Sequence, residues 1–186
     1  TGEHRGLAPA STQKIFTSIA AFELLGKQFT YKTPLLYEGQ LTNGTLTGNI
    51  IIRGSGDPTL GSWRWEHTKD ESIFKKISTG LRNKGIRKVE GKIKIETPFF
   101  PQETIPGGWI WDDIGNYYGA GTSGLNWREN QYDLLLQSGD AVGSAVKLLG
   151  SKPSYVIKRK FDNQLKAAVK GSGDNAYIYF PTGVNS

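Results

Sequence analysis

The sequence predicts a mixed α/β (α+β) fold, and three observations predict it. The stretch Ile15 to Leu25 has the length and apolar content of a helix. The segment Asp70 to Asn83 carries apolar residues at helical spacing and is followed by an alternating run, Lys88 to Glu96. From Gln131 onward, short β-prone runs are separated by glycine-containing turns and helix signals fade.

Pro9 fixes the backbone ahead of the first helix and Gly26 stops it. Ile15, Phe16, Ile19, Ala20, Phe22, Leu24 and Leu25 surround nearly the whole helix, so it is expected to be buried rather than to lie on a surface. Leu41 to Arg53 reads as a hairpin turning at Asn43-Gly44, with Asn49-Ile50-Ile51-Ile52 as a buried strand. Gly54-Ser55-Gly56-Asp57-Pro58 closes it as a tight turn, since no Gly-Lys-Ser/Thr follows to make a phosphate loop. In the helix Asp70 to Asn83, Ile73, Phe74, Ile77 and Leu81 form the inner face, and Val89, Ile93 and Ile95 mark a half-buried strand after it. Pro98 to Trp111 is irregular and aromatic, and Gly143 to Lys147 reads as a short helix. The expected strands of the second half are Tyr132 to Gln137, Ser154 to Phe161, Leu165 to Lys170 and Tyr177 to Phe180.

Composition narrows the chemistry. The 186 residues can bury a core, and the absence of cysteine excludes thiol nucleophiles, disulfides and thiolate metal sites. His4 and His67 are the only histidines and stand in no metal-ligand spacing, so neither a metal nor any other cofactor is expected. The net charge of +6 would suit an anionic partner, and Lys75, Lys76, Arg82, Lys84, Arg87, Lys88, Lys92 and Lys94 concentrate it in one helix-strand unit. No nucleic-acid motif accompanies them, and a solvated face with no nucleic-acid partner is the expectation. The chain starts with Thr1, holds no methionine and shows neither a membrane-length apolar run nor a leader, which makes a processed or excised segment the expectation.

The chemistry-bearing motif is Ser-x-x-Lys, which occurs at Ser11/Lys14, Ser72/Lys75 and Ser144/Lys147. Spacing of three on a helix puts hydroxyl and amine on one face, the arrangement of an activated serine. Context selects the first. Burial at the start of an apolar helix disfavours the Lys14 ammonium, and the helix N-terminus favours neutral lysine and a developing oxyanion. Ser72 follows Lys69-Asp70-Glu71 as a helix-start residue, and nothing polar converges on Ser144. Trp109, Trp111, Asp112, Asp113, Tyr117 and Tyr118 form an aromatic and acidic cluster that either lines a ligand pocket or belongs to the core.

Three segments carry a resemblance: Leu7-Ala8-Pro9-Ala10-Ser11-Thr12-Gln13-Lys14; Gly48-Asn49-Ile50-Ile51-Ile52-Arg53-Gly54-Ser55-Gly56-Asp57-Pro58-Thr59-Leu60; and Tyr118-Gly119-Ala120-Gly121-Thr122-Ser123-Gly124-Leu125. In order and spacing they resemble the class C low-molecular-mass penicillin-binding proteins, the D-alanyl-D-alanine carboxypeptidase/endopeptidases of peptidase family S13. The resemblance implies a partial penicillin-recognising, serine transpeptidase-like domain with an inserted, strand-rich accessory domain. Residues 1–67 would be the N-terminal part of the catalytic domain and 68–186 the inserted region, with about 108–130 bordering the active-site cleft.

The resemblance further implies that Ser11 attacks the carbonyl between two terminal D-alanines of a peptidoglycan stem peptide, with Lys14 as general base and β-lactams as acylating partners. Trp109, Trp111, Asp112, Asp113, Tyr117 and Tyr118 would border the cleft, and a carboxylate there would pair with a free amine on the stem peptide. Periplasmic or cell-surface localisation and peripheral association with membrane or cell wall follow from the same resemblance. Members of that family also use a Ser-x-Asn and a Lys-Thr-Gly motif, and neither occurs in these 186 residues: Ser123-Gly124-Leu125-Asn126 has one residue too many, and Lys32-Thr33-Pro34 puts proline where glycine is needed. An N-terminal fragment of a longer enzyme, poorly acylated by itself, is therefore the expectation. A non-catalytic cell-wall-binding module and a β-lactamase-like hydrolase are the alternatives.

Overall fold

The computed structural model describes residues 2–100, 105–158, 161–173 and 176–179. It is α+β, with helices and two sheets. The chain divides into two compact units, Thr1–Lys32 and Thr33–Ser186.

The first unit is built on helix α1 (Gln13–Leu25), which a 3-10 turn at Ala10–Thr12 leads into. Gly26, at φ 79°, ends it, and its N–H bonds the Phe22 carbonyl. The expected burial of this helix is not found: Ile15, Phe16, Ile19, Phe22, Leu24 and Leu25 are all exposed. Among the described residues of this unit no second helix or sheet lies against the apolar surface; Phe29 and Tyr31, edge-on at 5.2 Å, lie beyond the helix.

The second unit opens with the hairpin β1 (Leu35–Thr42) and β2 (Thr45–Arg53), turning at Asn43-Gly44, where φ is 50° and 84°. Its register pairs Leu35 with Ile52 and Leu41 with Leu46 across eight residue pairs. At the centre Gly39 faces Gly48, where a Cβ on Gly39 would lie 2.3 Å from the Thr47 carbonyl oxygen; only two glycines let the strands approach this closely.

Helix α2 (Asp70–Asn83) follows with the bounds its apolar spacing predicts. The chain then reverses: the Ile86 N–H bonds the Leu81 carbonyl, and the N–H groups of Arg87 and Lys88 reach back to the Gly44 carbonyl at the hairpin turn. That hook places strand β3 (Lys88–Glu90) beside Thr45–Thr47 of β2, in parallel. The single strand expected over Lys88 to Glu96 is two strands. Gly91 and Lys92 interrupt it, and β4 (Ile93–Glu96) resumes alongside Ile50–Arg53. The interruption is held by the Asn49 side chain, whose Oδ1 accepts the Lys92 N–H at 2.9 Å. Leu46, Ile50 and Ile86 are the buried centre of this sheet, flanked by Leu35, Leu41 and Leu81.

The short helix α3 (Trp111–Ile114) precedes a second, two-stranded sheet of β5 (Asp133–Gln137) and β6 (Lys147–Lys152), antiparallel with a shift between Leu135 and Leu136. The helix expected at Gly143 to Lys147 is absent. Residues 145–152 run extended because successive stretches find partners: residues 147–152 pair with β5, and residues 143–146 bond residues 165–167 through Gly143 N–H to Ala167 O, Ala167 N–H to Ser144 O and Val146 N–H to Leu165 O. A short apolar run does not choose between helix and strand by itself, and pairing chose here.

Three expected strands are also corrected. Residues 154–158 form a turn and the 3-10 helix Val156–Lys158, stabilised by the Ser151 hydroxyl, which accepts the Ile157 N–H at 2.8 Å. Leu165 to Lys170 contributes one isolated bridge, Lys166 to Ala145, and residues 177–179 form no strand. Residues 159–160 and 180 of these expected strands lie outside the described residues. Among the described residues no helix is long and apolar enough to cross a membrane.

Candidate active site

In the first unit, Pro9 and Ala10 set the entry to α1. Ala10 sits at φ 46°, in the left-handed region that costs a non-glycine residue energy, and the chain turns there directly into Ser11. The Thr12 N–H closes the turn on the Pro9 carbonyl at 3.0 Å. Ser11 lies in that turn and Lys14 is the second residue of α1, so the two side chains share a face. Lys14 Nζ donates to Ser11 Oγ at 3.2 Å. The pairing expected from spacing is present; the burial expected around Lys14 is not, since both residues are exposed and residues 2–32 supply nothing to cover them.

The other two Ser-x-x-Lys matches use their hydroxyls elsewhere. Ser72 donates to the Glu66 carbonyl at 2.8 Å, fastening the start of α2, and Ser144 donates to the Ala141 carbonyl at 2.5 Å. Each hydroxyl is spent on a nearby backbone carbonyl, the turn-and-cap role common for serine.

In the second unit, Trp109, Asp113 and Tyr118 line one cleft of about 260 Å³ together with Gly108, Ile110 and Gly119. The turn of α3 brings Asp113 round, its N–H bonding the Ile110 carbonyl. Gly119 is buried against it: a Cβ there would lie 2.0 Å from the Asp113 carbonyl oxygen, so the close approach that sets Tyr118 beside Asp113 requires glycine. Desolvation of the ring pushes the Tyr118 phenol up, and the Asp113 charge adds to it.

The remaining members of the cluster point elsewhere. Trp111 stacks on Tyr179 with centroids 5.0 Å apart, and Asp112 is exposed. Tyr117 meets Tyr118 edge-on at 5.1 Å and lines an adjoining, mostly apolar groove of about 590 Å³ with Tyr132, Leu134 and Tyr177. Among the described residues no group of three or more His, Cys, Asp or Glu could hold a metal ion.

Sequence reasoning missed the polar knot of residues 126–131. Arg128, Glu129 and Asn130 are three successive non-glycine residues in the left-handed region, at φ 52°, 55° and 55°. Such conformations cost about 1–3 kcal/mol each and persist only where the surroundings impose them. Here they do. Arg128, only 5% exposed, donates to Asp70 of α2 at 3.2 Å and to Asp133 of β5 at 3.0 Å. Glu129 accepts from the Ser62 hydroxyl at 2.7 Å and from Arg64 Nε at 2.7 Å. Asn130 donates to the Gly121 carbonyl and to Asn126 Oδ1, both at 2.7 Å, while its own Oδ1 accepts the Trp127 N–H at 3.1 Å. The available signal was the density of amide and charged side chains in Asn126-Trp127-Arg128-Glu129-Asn130-Gln131, with asparagine, which tolerates this backbone, at both ends of the first five.

The knot gives the fold a pH dependence. Hydrogen bonds from Arg64 hold the Glu129 carboxyl below the usual carboxylate range, burial opposing them in part and Ser62 assisting. A carboxyl with a lowered folded-state value stabilises fully above its unfolded value, about 4.3, and the contribution is lost as pH falls through the lowered value. Thermal unfolding followed from pH 6 to pH 3 should show a falling midpoint below about pH 4.3, and Glu129→Gln should flatten that limb. An unchanged slope in the Gln variant would contradict the assignment.

The chain is similar to known proteins in sequence and in fold. The sequence profile of the D-Ala-D-Ala carboxypeptidase 3 (S13) family matches residues 2–186. D-alanyl-D-alanine carboxypeptidase DacB of Haemophilus influenzae is 33% identical over 139 residues, which are 75% of this chain and 27% of that protein. The crystal structure of penicillin binding protein 4 (dacB) from Haemophilus influenzae superposes with a TM-score of 0.63 at 33% identity, over 76% of this chain and 29% of that one. The structure of the same protein complexed with a novel β-lactam gives a TM-score of 0.51 at 30% identity, over 75% of this chain and 26% of that one. The chain thus spans about a quarter to a third of the length of the curated relatives it matches, 27% of DacB and 32% of the D-alanyl-D-alanine carboxypeptidase of Actinomadura sp. (strain R39).

Proposed function

The chain belongs to the D-Ala-D-Ala carboxypeptidase 3 (S13) family, and on that premise we propose that it supplies the nucleophile and general base of a serine-type carboxypeptidase/endopeptidase acting on peptidoglycan stem peptides. The observation that carries the reading is the 3.2 Å hydrogen bond between Lys14 Nζ and Ser11 Oγ at the entry to α1.

In this mechanism Lys14, as the free amine, takes the Ser11 proton while Oγ forms a bond to the carbonyl carbon between two D-alanines. The tetrahedral intermediate carries its negative charge near the start of α1, where the positive end of the helix dipole favours it. The C–N bond then breaks, the lysine proton passes to the leaving amine, and water hydrolyses the ester to return Ser11. A terminal D-alanine leaves in the carboxypeptidase reaction; a cross-linked peptide leaves in the endopeptidase reaction. A β-lactam enters by the same attack, its ring amide standing for the scissile bond.

In the same reading the Trp109/Asp113/Tyr118 cleft receives the stem peptide. Asp113 would pair with a side-chain amine and the two aromatic residues would flank its methylene stem. The substrate places the protein in the periplasm or at the cell surface. Since the 186 residues hold neither Ser-x-Asn nor Lys-Thr-Gly, they should react slowly by themselves.

The test is to incubate the protein at its full natural length with a fluorescent penicillin and to map the adduct by peptide mass spectrometry. The expected result is one label, on Ser11. Labelling of any other residue, or no labelling, would overturn the proposal.

A further inference from the structure

We infer that Asn130, which does not line the cleft, is a positioning residue that sets Tyr118 opposite Asp113 and thereby tunes recognition of the amine-bearing stem peptide. The inference rests on the cleft reading above.

The segment that carries Tyr118 is fixed at two points. Directly after Tyr118, Gly119 presses against the Asp113 carbonyl. Two residues further on, Asn130 Nδ2 donates to the Gly121 carbonyl at 2.7 Å. Asn126 extends the clamp: its Oδ1 accepts the second Asn130 donor bond and the Ser123 N–H at 2.9 Å, and its Nδ2 reaches the Asp57 carbonyl at 3.3 Å. The Gly56 N–H adds a bond to the Gly124 carbonyl at 2.7 Å. Residues 119–124 are thus held by side-chain amides and backbone to the loop that follows β2.

Asparagine suits position 130 on two counts. It tolerates the left-handed backbone, and its side chain both accepts, from the Trp127 N–H, and donates twice. Aspartate would keep the shape and lose both donor bonds, setting a carboxylate against two oxygens. Glycine would accept the backbone with less strain and remove the clamp altogether. The two substitutions therefore separate the clamp from the fold.

The experiment measures KM and kcat of the full-length protein on two synthetic peptides ending in D-Ala-D-Ala, one with a free side-chain amine and one with that side chain removed, together with its acylation rate by benzylpenicillin. Asn130→Gly and Asn130→Asp should raise KM for the amine-bearing peptide roughly three- to tenfold, the effect of losing one or two neutral hydrogen bonds. They should leave its kcat, the truncated peptide and benzylpenicillin acylation within about twofold, below the effect of one such bond. Asp113→Asn and Tyr118→Ala are run alongside. If these two raise KM for the amine-bearing peptide and both Asn130 variants do not, the clamp is wrong and the cleft stands. If the Asn130 variants lower every rate alike, their role is general folding and the inference is overturned. If no variant changes the discrimination between the peptides, the cleft reading falls and the inference with it.

Discussion

Ser11→Ala is expected to abolish covalent capture of a β-lactam, and Lys14→Ala to slow it by several orders of magnitude. Removing an attacking oxygen leaves no route to an acyl-enzyme, and nucleophile knockouts in serine hydrolases cost as much as ~10⁶-fold. General base catalysis is worth about 10²–10⁴-fold. The hydroxyls of the other Ser-x-x-Lys pairs are committed to the Glu66 and Ala141 carbonyls, so neither substitutes for Ser11. Lys14→Arg decides what the lysine does. A guanidinium keeps the charge and cannot give up its proton, so it should be as slow as Lys14→Ala if Lys14 is the base. Recovery of most of the rate with arginine would mean that Lys14 acts by charge alone. Stopped-flow acylation with a fluorescent penicillin measures all three variants.

Where local chemistry determined structure, the sequence was legible. The apolar spacing of Ile73, Phe74, Ile77 and Leu81 predicts α2 with its observed bounds, and Asn43-Gly44 predicts the hairpin turn, because a helix face and a two-residue turn are set by neighbours along the chain. The Ser11–Lys14 bond was legible for the same reason: residues three apart on a helix turn share a face. What failed depends on distant partners. Residues 145–152 became extended because β5 and residues 165–167 were there to pair with them. The apolar content of α1 calls for burial that is not found, because burial needs a packing partner and residues 2–32 contain none. Within the aromatic and acidic cluster, composition could not separate Asp113 from Asp112 or Tyr118 from Tyr117. The contact of Gly119 with the Asp113 carbonyl makes that choice, and it exists only once the chain has folded.

Leu46→Ala is the substitution expected to cost the second unit most stability. Leu46 is fully buried on β2, opposite Leu41 of β1 and beside Val89 of β3, and shares its cluster with Ile50 and Ile86. Truncating a buried leucine costs about 2–5 kcal/mol, the upper part of that range applying where the site cannot collapse. Collapse is restricted here on two sides. The Gly39–Gly48 contact already brings β1 and β2 as close as backbone allows, and Gly91 is packed so tightly that a Cβ would lie 1.7 Å from the Gly48 carbonyl oxygen. A loss of roughly 3 kcal/mol should lower the thermal midpoint by about 6–12 °C for a chain of this size. Ile93→Ala is the control: its side chain is 69% exposed on β4, and its cost should stay within about 0.5 kcal/mol. Because the strand continues into Gly54, whose N–H bonds the Glu96 carbonyl, and on to Gly56, bonded to Gly124, fraying of β2 reaches the loop that Asn126 and Asn130 hold. Hydrogen exchange of Leu46→Ala should accordingly rise at the Ser123 and Gly56 amides as well as in β2. Faster exchange confined to β2 would show that the sheet and the polar knot open independently.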